Sequence, residues 1–150
     1  MKQLAFLLFA VLAGQNASLA DVKELRPEDR RILQDKSRFQ EIHSTTNLPA
    51  QVVSLCADEN GRIADPGKKW EVSDFITDDT LPRRRLIWAA TDGEYYVVHY
   101  ESGGFVHSYH VLAARLKRGE AKAELVWRNA GKRFKDYSAL LTAIEQNSHE

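Results

Sequence analysis

The stretch that decides the fold runs from Arg84 to Trp127 and reads RRLIWAATDGEYYVVHYESGGFVHSYHVLAARLKRGEAKAELVW. It contains four runs rich in β-branched and aromatic residues, separated by Asp92-Gly93, Gly103-Gly104 and Arg118-Gly119. Short strands that alternate with glycine-containing turns are typical of an antiparallel meander. We therefore predict that this stretch forms the sheet of the protein.

A helical segment is predicted before the meander, over residues 21–47. Pro27 suits the first turn of a helix, and the acidic residues Glu28 and Asp29 that follow it favour the helix dipole. A thin apolar stripe continues along the segment, with Asn47-Leu48-Pro49 as its expected end. One face of this helix is expected to carry Ile32, Lys36, Phe39 and His43.

A second helix is predicted after the meander. Asp136 is a suitable N-cap, and the apolar residues beyond it follow helical spacing, at Tyr137, Leu140, Leu141 and Ile144. Between the first helix and the meander, Gln51–Ala57 has the β-branched content and the length of a strand. The resulting fold class is α+β: an N-terminal helix, an antiparallel meander sheet of four to six strands and a C-terminal helix, with both helices on one sheet face.

The first twenty residues have the pattern of a cleaved secretory signal peptide. Lys2 precedes an apolar run from Leu4 to Ala13, and Ser18-Leu19-Ala20 has the small-x-small form that signal peptidase accepts. An uncleaved membrane anchor is the alternative, but spanning a bilayer needs about 20 apolar residues. We therefore predict a signal peptide at 1–20, a single α+β domain at 21–150 and a periplasmic or secreted location.

Composition narrows the classes of function. Without Lys2 the mature chain carries 20 basic and 21 acidic side chains, so the basic excess typical of nucleic-acid-binding proteins is missing. Cys56 is the sole cysteine, which indicates a fold that depends on its hydrophobic core rather than on disulfides. No metal-ligand or catalytic signature is present, so we predict no metal, no cofactor and no membrane span after signal cleavage.

Two-residue loops would fix the register of the meander. Under that assumption Trp88 faces Val97, Leu86 faces His99, and His99 faces Ser108. One face of the sheet would then carry the longer aliphatic content and lie beneath the two helices. Its expected members include Leu86, Trp88, Ala90, Val97, His99, His110, Leu112 and Ala114.

A polar cluster is predicted at one end of that inner face, formed by Arg84, His99, Glu101, Ser108 and His110. His43 of the first helix could reach this polar cluster. Two interpretations stay open: a metal or acid–base site that uses the imidazoles and the carboxylate, or a buried hydrogen-bonded network. The second is favoured, because buried polar groups are generally satisfied in this way.

The outer face is predicted to hold an aromatic strip, made of Tyr96, Tyr100, His107 and Tyr109. Tyrosine is enriched where proteins meet partners, so the aromatic strip is our predicted partner-binding site. The alternative is that the segment from Asp58 to Pro82, or the Gln51–Ala57 strand, folds back and covers it.

These features favour an exported, non-enzymatic binding or protein-interaction module that uses the aromatic strip. A small metal-dependent or hydrolytic enzyme that uses His99, Glu101 and His110 is the first alternative. A carrier with a cavity for a small ligand between the helices and the sheet, near Trp88 and Trp127, is the second. The expected partner is thus a protein or a small ligand.

Overall fold

The structure, a computed structural model, describes residues 25–147. Its strands are β1 (Gln40–Ile42), β2 (Arg84–Thr91), β3 (Tyr95–Ser102), β4 (Ser108–Arg115) and β5 (Glu124–Gly131). Its helices are α1 (Pro27–Gln34), α2 (Ala50–Cys56) and α3 (Tyr137–Asn147). The five strands form one antiparallel sheet in the order β1-β2-β3-β4-β5. The predicted α+β fold with a meander sheet is confirmed.

The N-terminal segment is helical over a shorter range than predicted. The helix α1 ends at Gln34, because the Asp35 carboxylate accepts hydrogen bonds from the amide (3.2 Å) and the hydroxyl (2.6 Å) of Ser37 and bends the chain into a short 3-10 turn. The chain then extends, and β1 pairs with Ala89–Thr91 of β2 at the sheet edge. The predicted long helix over 21–47 was therefore wrong beyond Gln34.

The predicted strand at Gln51–Ala57 is the helix α2. Val52 and Cys56 are one helical turn apart, and both are completely buried against the sheet. Their spacing of four residues matches a helix, whereas β-branched content alone favoured a strand. Burial of the face that carries Val52 and Cys56 favours the helix over the strand.

The helices cover both faces of the sheet. As predicted, the N-terminal and C-terminal helices share one face, where Leu33 of α1 and Leu140 and Leu141 of α3 are buried. The helix α2 covers the opposite face. The α1/α3 layer contains Trp88, Ala90, Tyr95, Val97, Val111, Ala113 and Val126, and the α2 layer contains Leu86, Ala89, Tyr96, Val98, Tyr100, Leu112 and Ala114.

The register differs from the one that two-residue loops would give. The β2–β3 connection has three residues, 92–94, and Trp88 faces His99; a bulge at Ile87 then shifts the pairing, so that Leu86 faces Tyr100. The β3–β4 connection spans 103–107, and His99 faces Val111. Because the side chains of a strand alternate between faces, this odd shift moves His110, Leu112 and Ala114 to the α2 layer.

A buried charge anchors α1 to the sheet. The Asp29 carboxylate accepts hydrogen bonds from the Tyr95 hydroxyl and the Arg26 guanidinium, each at 2.6 Å. Arg115 lies 3.9 Å from the same carboxylate and pairs with Glu124 at 2.6 Å. Burial raises the pKa of Asp29, but the hydrogen bonds from Tyr95 and Arg26 outweigh burial and hold this pKa below its usual value.

Two sequence-based predictions concern parts of the chain outside these residues. The predicted signal peptide at 1–20 and its cleavage site lie outside the described range 25–147. Within that range, no helix has both the length and the apolar character needed to cross a bilayer.

Candidate functional site

Five large apolar side chains are exposed at one end of the sheet. We call them the apolar tip: Val72, Phe75, Ile76, Phe105 and Val106. Phe75 is 81% exposed and Phe105 is 94% exposed. Soluble proteins seldom leave several large apolar side chains in water on adjoining segments unless the surface binds something.

Backbone hydrogen bonds join the two segments that carry the apolar tip. The Gly104 amide donates to the Val72 carbonyl at 2.9 Å, and the Gly103 amide donates to the Arg83 carbonyl at 3.0 Å. Ser73 and Gly104 form an isolated parallel bridge. Gly103 allows this approach, because a Cβ atom there would overlap the carbonyl oxygens of Glu71 and Val72. The Gly103-Gly104 pair is thus a contact between segments rather than a two-residue hairpin loop.

The Glu71 carboxylate fixes the segment that carries Phe75. It accepts hydrogen bonds from the hydroxyls of Thr77 (2.9 Å) and Ser73 (3.1 Å) and from both of their amides. The hydrogen bond from Thr77 makes the largest contribution to lowering the pKa of Glu71. A loop closed around a carboxylate in this way presents Phe75 in a defined position.

An ion pair network supports the base of the apolar tip. The Glu101 carboxylate contacts the Arg85 guanidinium and the His107 Nε2 atom, each at 2.7 Å, and its side chain is almost fully buried. The Trp70 ring lies 5.5 Å from the His107 ring and 5.1 Å from the Arg85 guanidinium carbon. These contacts hold the end of the β3–β4 connection and the segment before Glu71 together.

The predicted aromatic strip is divided between the two faces. Tyr96 and Tyr100 are buried in the α2 layer, and Tyr100 stacks on His110 with ring centroids 5.1 Å apart. His107 is exposed and Tyr109 is half-buried on the other side, with their rings 4.9 Å apart. The expectation of an exposed strip was therefore wrong for Tyr96 and Tyr100, because α2 covers them. The register shift that turns β4 over separates Tyr109 from both.

The predicted polar cluster is dispersed for the same reason. His99 and His110 project to opposite faces: the His99 Nδ1 atom bonds to the His110 carbonyl oxygen at 2.8 Å, whereas the His110 Nε2 atom contacts the Ser108 hydroxyl at 2.8 Å. Glu101 pairs with Arg85 and His107 instead, as described above. Arg84 donates to the carbonyl oxygens of Cys56 (3.2 Å) and Ala57 (2.7 Å).

His43 is also separate from the polar cluster, because its ring lies 3.4 Å from Glu41. Among residues 25–147, no three His, Cys, Asp or Glu side chains are grouped so that they could hold a metal ion. The residues assigned to the enzyme hypothesis, His99, His110 and Glu101, thus do not converge on one point.

Buried His99 instead has a structural role. Its Nε2 atom accepts a hydrogen bond from the Phe134 amide at 3.0 Å, which requires that the proton of a neutral ring lie on Nδ1 and be donated to the His110 carbonyl. Burial lowers the pKa of His99 and is the largest cause of the shift. The imidazole is therefore a neutral link between β3 and the connection that leads to α3.

The apolar tip was not predicted from the sequence. A signal was present in both segments: Phe75-Ile76 stands alone within the polar stretch 73–80, and Phe105-Val106 follows directly after two glycines. In a sequence, an apolar pair within a loop is easily interpreted as a contact by which the loop packs onto the core. Neither pair becomes buried here.

The fold and the apolar tip define a class: an α+β domain with helices on both faces of a meander sheet and an exposed apolar tip at one end. Comparison of the chain with protein-family models, with curated proteins and with solved structures finds no match.

Proposed function

We propose that this chain is an exported, non-enzymatic binding module that holds a protein partner through the apolar tip, with His107 and Tyr109 beside it. The exposure of Phe75 and Phe105 on two hydrogen-bonded segments is the observation that carries the proposal. Burying one phenylalanine side chain in a partner contributes about 2 kcal/mol. The fixed segments reduce the ordering cost that opposes binding.

Charge around the apolar tip favours a protein over a lipid surface. Asp74, Asp78 and Asp79 are exposed beside Phe75 and Ile76, whereas the Arg62 guanidinium donates to the carbonyl oxygens of Asp79 and Thr80 at the end of the same segment. An anionic membrane surface would repel these carboxylates. A protein with an apolar pocket and a rim of Lys or Arg would complement both the apolar side chains and the charges.

The exported location is part of the proposal and rests on the sequence pattern at 1–20. Expression of the chain in a Gram-negative host, followed by osmotic-shock fractionation, should place a shortened product in the periplasm. Deletion of residues 2–20 should leave the protein in the cytoplasm. If the full-length and truncated forms distribute equally between periplasm and cytoplasm, the exported location is refuted. The binding proposal is unaffected by that result.

Site-specific photocrosslinking tests the binding proposal. A photoreactive phenylalanine analogue at position 105 should yield one discrete crosslinked protein in native cells. The same analogue at Arg118 is the matched control, because the β4–β5 connection is exposed at the opposite end of the sheet. Phe75→Ser in the background of the position 105 probe should abolish the crosslink while the melting temperature stays unchanged.

The other outcomes are distinct. A crosslink to a second copy of the chain would show that the apolar tip mediates self-association rather than binding to a different protein. Analytical ultracentrifugation would confirm the self-association. Binding to vesicles of zwitterionic lipid, lost in the Phe75→Ser variant, would show that the apolar tip docks on lipid. Identical crosslinks from positions 105 and 118 would refute the apolar tip as a specific site.

A further inference from the structure

A cleft with a volume of about 170 Å³ lies between α3 and the ends of β4 and β5. An apolar cavity of roughly 150 Å³ is known to accommodate benzene, so this cleft has room for a molecule built on one ring. The cleft shares no residue with the apolar tip. Its walls include Tyr109, Trp127, Lys132, Phe134, Leu140 and Ala143.

The cleft is close to the place where a small-ligand carrier was predicted to have its cavity. Trp127 lines it, as expected, but Trp88 lies behind the wall and is buried. The indole Nε1 atom of Trp88 donates to the Phe134 carbonyl at 3.0 Å. Trp88 therefore contributes to the shape of the cleft rather than to its surface.

Hydrogen bonds to both backbone polar groups of Phe134 fix this wall of the cleft from behind. The Phe134 amide donates to the buried His99 ring at 3.0 Å, and its carbonyl accepts from the buried Trp88 ring. Both supporting side chains belong to the sheet. A wall that is held before any ligand arrives avoids much of the ordering cost of binding.

Lys132 is the charged residue among those that line the cleft. Its side chain is exposed, and within residues 25–147 no acidic side chain pairs with its ammonium group. Ligand sites of this kind combine apolar walls with a few polar groups that fix orientation. An ammonium group beside aromatic walls is complementary to a carboxylate that carries a hydrophobic ring.

We infer that the cleft binds a small carboxylate with one aromatic or alicyclic ring, with the ring against Trp127 and Phe134 and the carboxylate at Lys132. This inference does not depend on the proposed function, since the apolar tip could bind a partner with the cleft empty. The half-buried Tyr109 lines the cleft and contacts His107, so the two sites are neighbours at the same end of the sheet.

Amide chemical shifts of the ¹⁵N-labelled protein test the inference, with benzoate as the probe and benzamide as its neutral counterpart. Benzoate should cause saturable shifts at Ala130, Gly131 and Ala143. Its affinity should exceed that of benzamide by about tenfold, as expected when a hydrogen bond to a charged group is added. Lys132→Met should reduce the affinity for benzoate to that for benzamide and leave benzamide binding unchanged.

A filled cleft gives the structural control. Ala143→Leu places a larger side chain in the cleft on a helix that tolerates leucine, and it should abolish the binding of both probes. Thr142→Leu, on the exposed side of the same helix, should bind both probes as the unaltered protein does. The ligand site is refuted if benzoate causes no saturable shifts or if Ala143→Leu binds normally. Equal affinities for benzoate and benzamide would refute the inferred contact between a ligand carboxylate and Lys132.

Discussion

Replacement of His99 by leucine should destabilise the protein by about 1–3 kcal/mol. The substitution leaves the Phe134 amide without the ring nitrogen that accepts its hydrogen bond, and the His110 carbonyl, which is also paired with β3 within the sheet, loses the additional bond from the ring. An unsatisfied buried polar group costs about 1–3 kcal/mol, so the Phe134 amide alone gives the expected range. His43→Leu, at an exposed position, is the matched control and should change stability by less than about 0.5 kcal/mol.

Urea unfolding followed by tryptophan fluorescence measures this effect directly. The Trp88 ring lies 5.3 Å from the His99 ring, so the signal reports on the region that is changed. The expected result is a lower midpoint for His99→Leu and an unchanged midpoint for His43→Leu. A midpoint for His99→Leu within the error of the unaltered protein would refute the structural role of the imidazole.

The same residue predicts a dependence of stability on pH. Burial lowers the pKa of His99 in the folded state, whereas an unfolded histidine has a pKa of about 6.5. Below about pH 6.5 the unfolded state therefore binds more protons, and the free energy of unfolding falls with falling pH until the folded-state pKa is reached.

His110 contributes to the pH dependence with the same sign, because burial lowers its pKa as well. The other charged groups that act on His99 are Arg133, which also lowers its pKa, and Glu101, which raises it. The difference in pH dependence between the unaltered protein and His99→Leu isolates the contribution of His99. Parallel pH profiles of the two proteins would contradict the assignment of a neutral buried ring.

Three further substitutions or reactions test other parts of the structure. Asp29→Ala should cost about 1.5–3 kcal/mol, because it removes the charged acceptor of the buried Tyr95 hydroxyl, whereas Asp35→Ala at an exposed position should cost about 1 kcal/mol, measured by urea unfolding. Gly103→Ala should lower stability by about 1–3 kcal/mol through overlap with carbonyl oxygens, and Gly131→Ala, where a Cβ atom meets nothing within 4 Å, should be tolerated; equal midpoints would contradict the contact. Burial raises the pKa of the Cys56 thiol to about 11, so a disulfide reagent should modify it only in denaturant, and rapid modification of the native protein would show that α2 opens.

The sequence predicted the architecture where local signals and burial agree. The helix α3 begins after Asp136, whose carboxylate accepts a hydrogen bond from the Ala139 amide at 2.8 Å, as expected for an N-cap. The strands of the meander were recognised from their β-branched and aromatic content. In these segments intrinsic preference and tertiary packing favour the same conformation.

The prediction of the site depended on register, and register depended on details that the sequence does not display. The five-residue connection 103–107 turned β4 over relative to the prediction, which separated His99 from His110 and Tyr100 from Tyr109. An inserted residue leaves no mark in hydrophobic alternation when both faces of the sheet are buried. The apolar tip escaped prediction because nothing in Phe75 itself distinguishes an exposed phenylalanine from a core residue.

The central strand β3 lies between two different apolar layers, and this has a consequence for misfolding. Val97 and His99 belong to the α1/α3 side, whereas Val98 and Tyr100 belong to the α2 side. A slip of one residue would exchange the contents of both layers, leaving His99 under α2 without its two backbone partners. Both layers therefore oppose a one-residue slip of this strand at the same time.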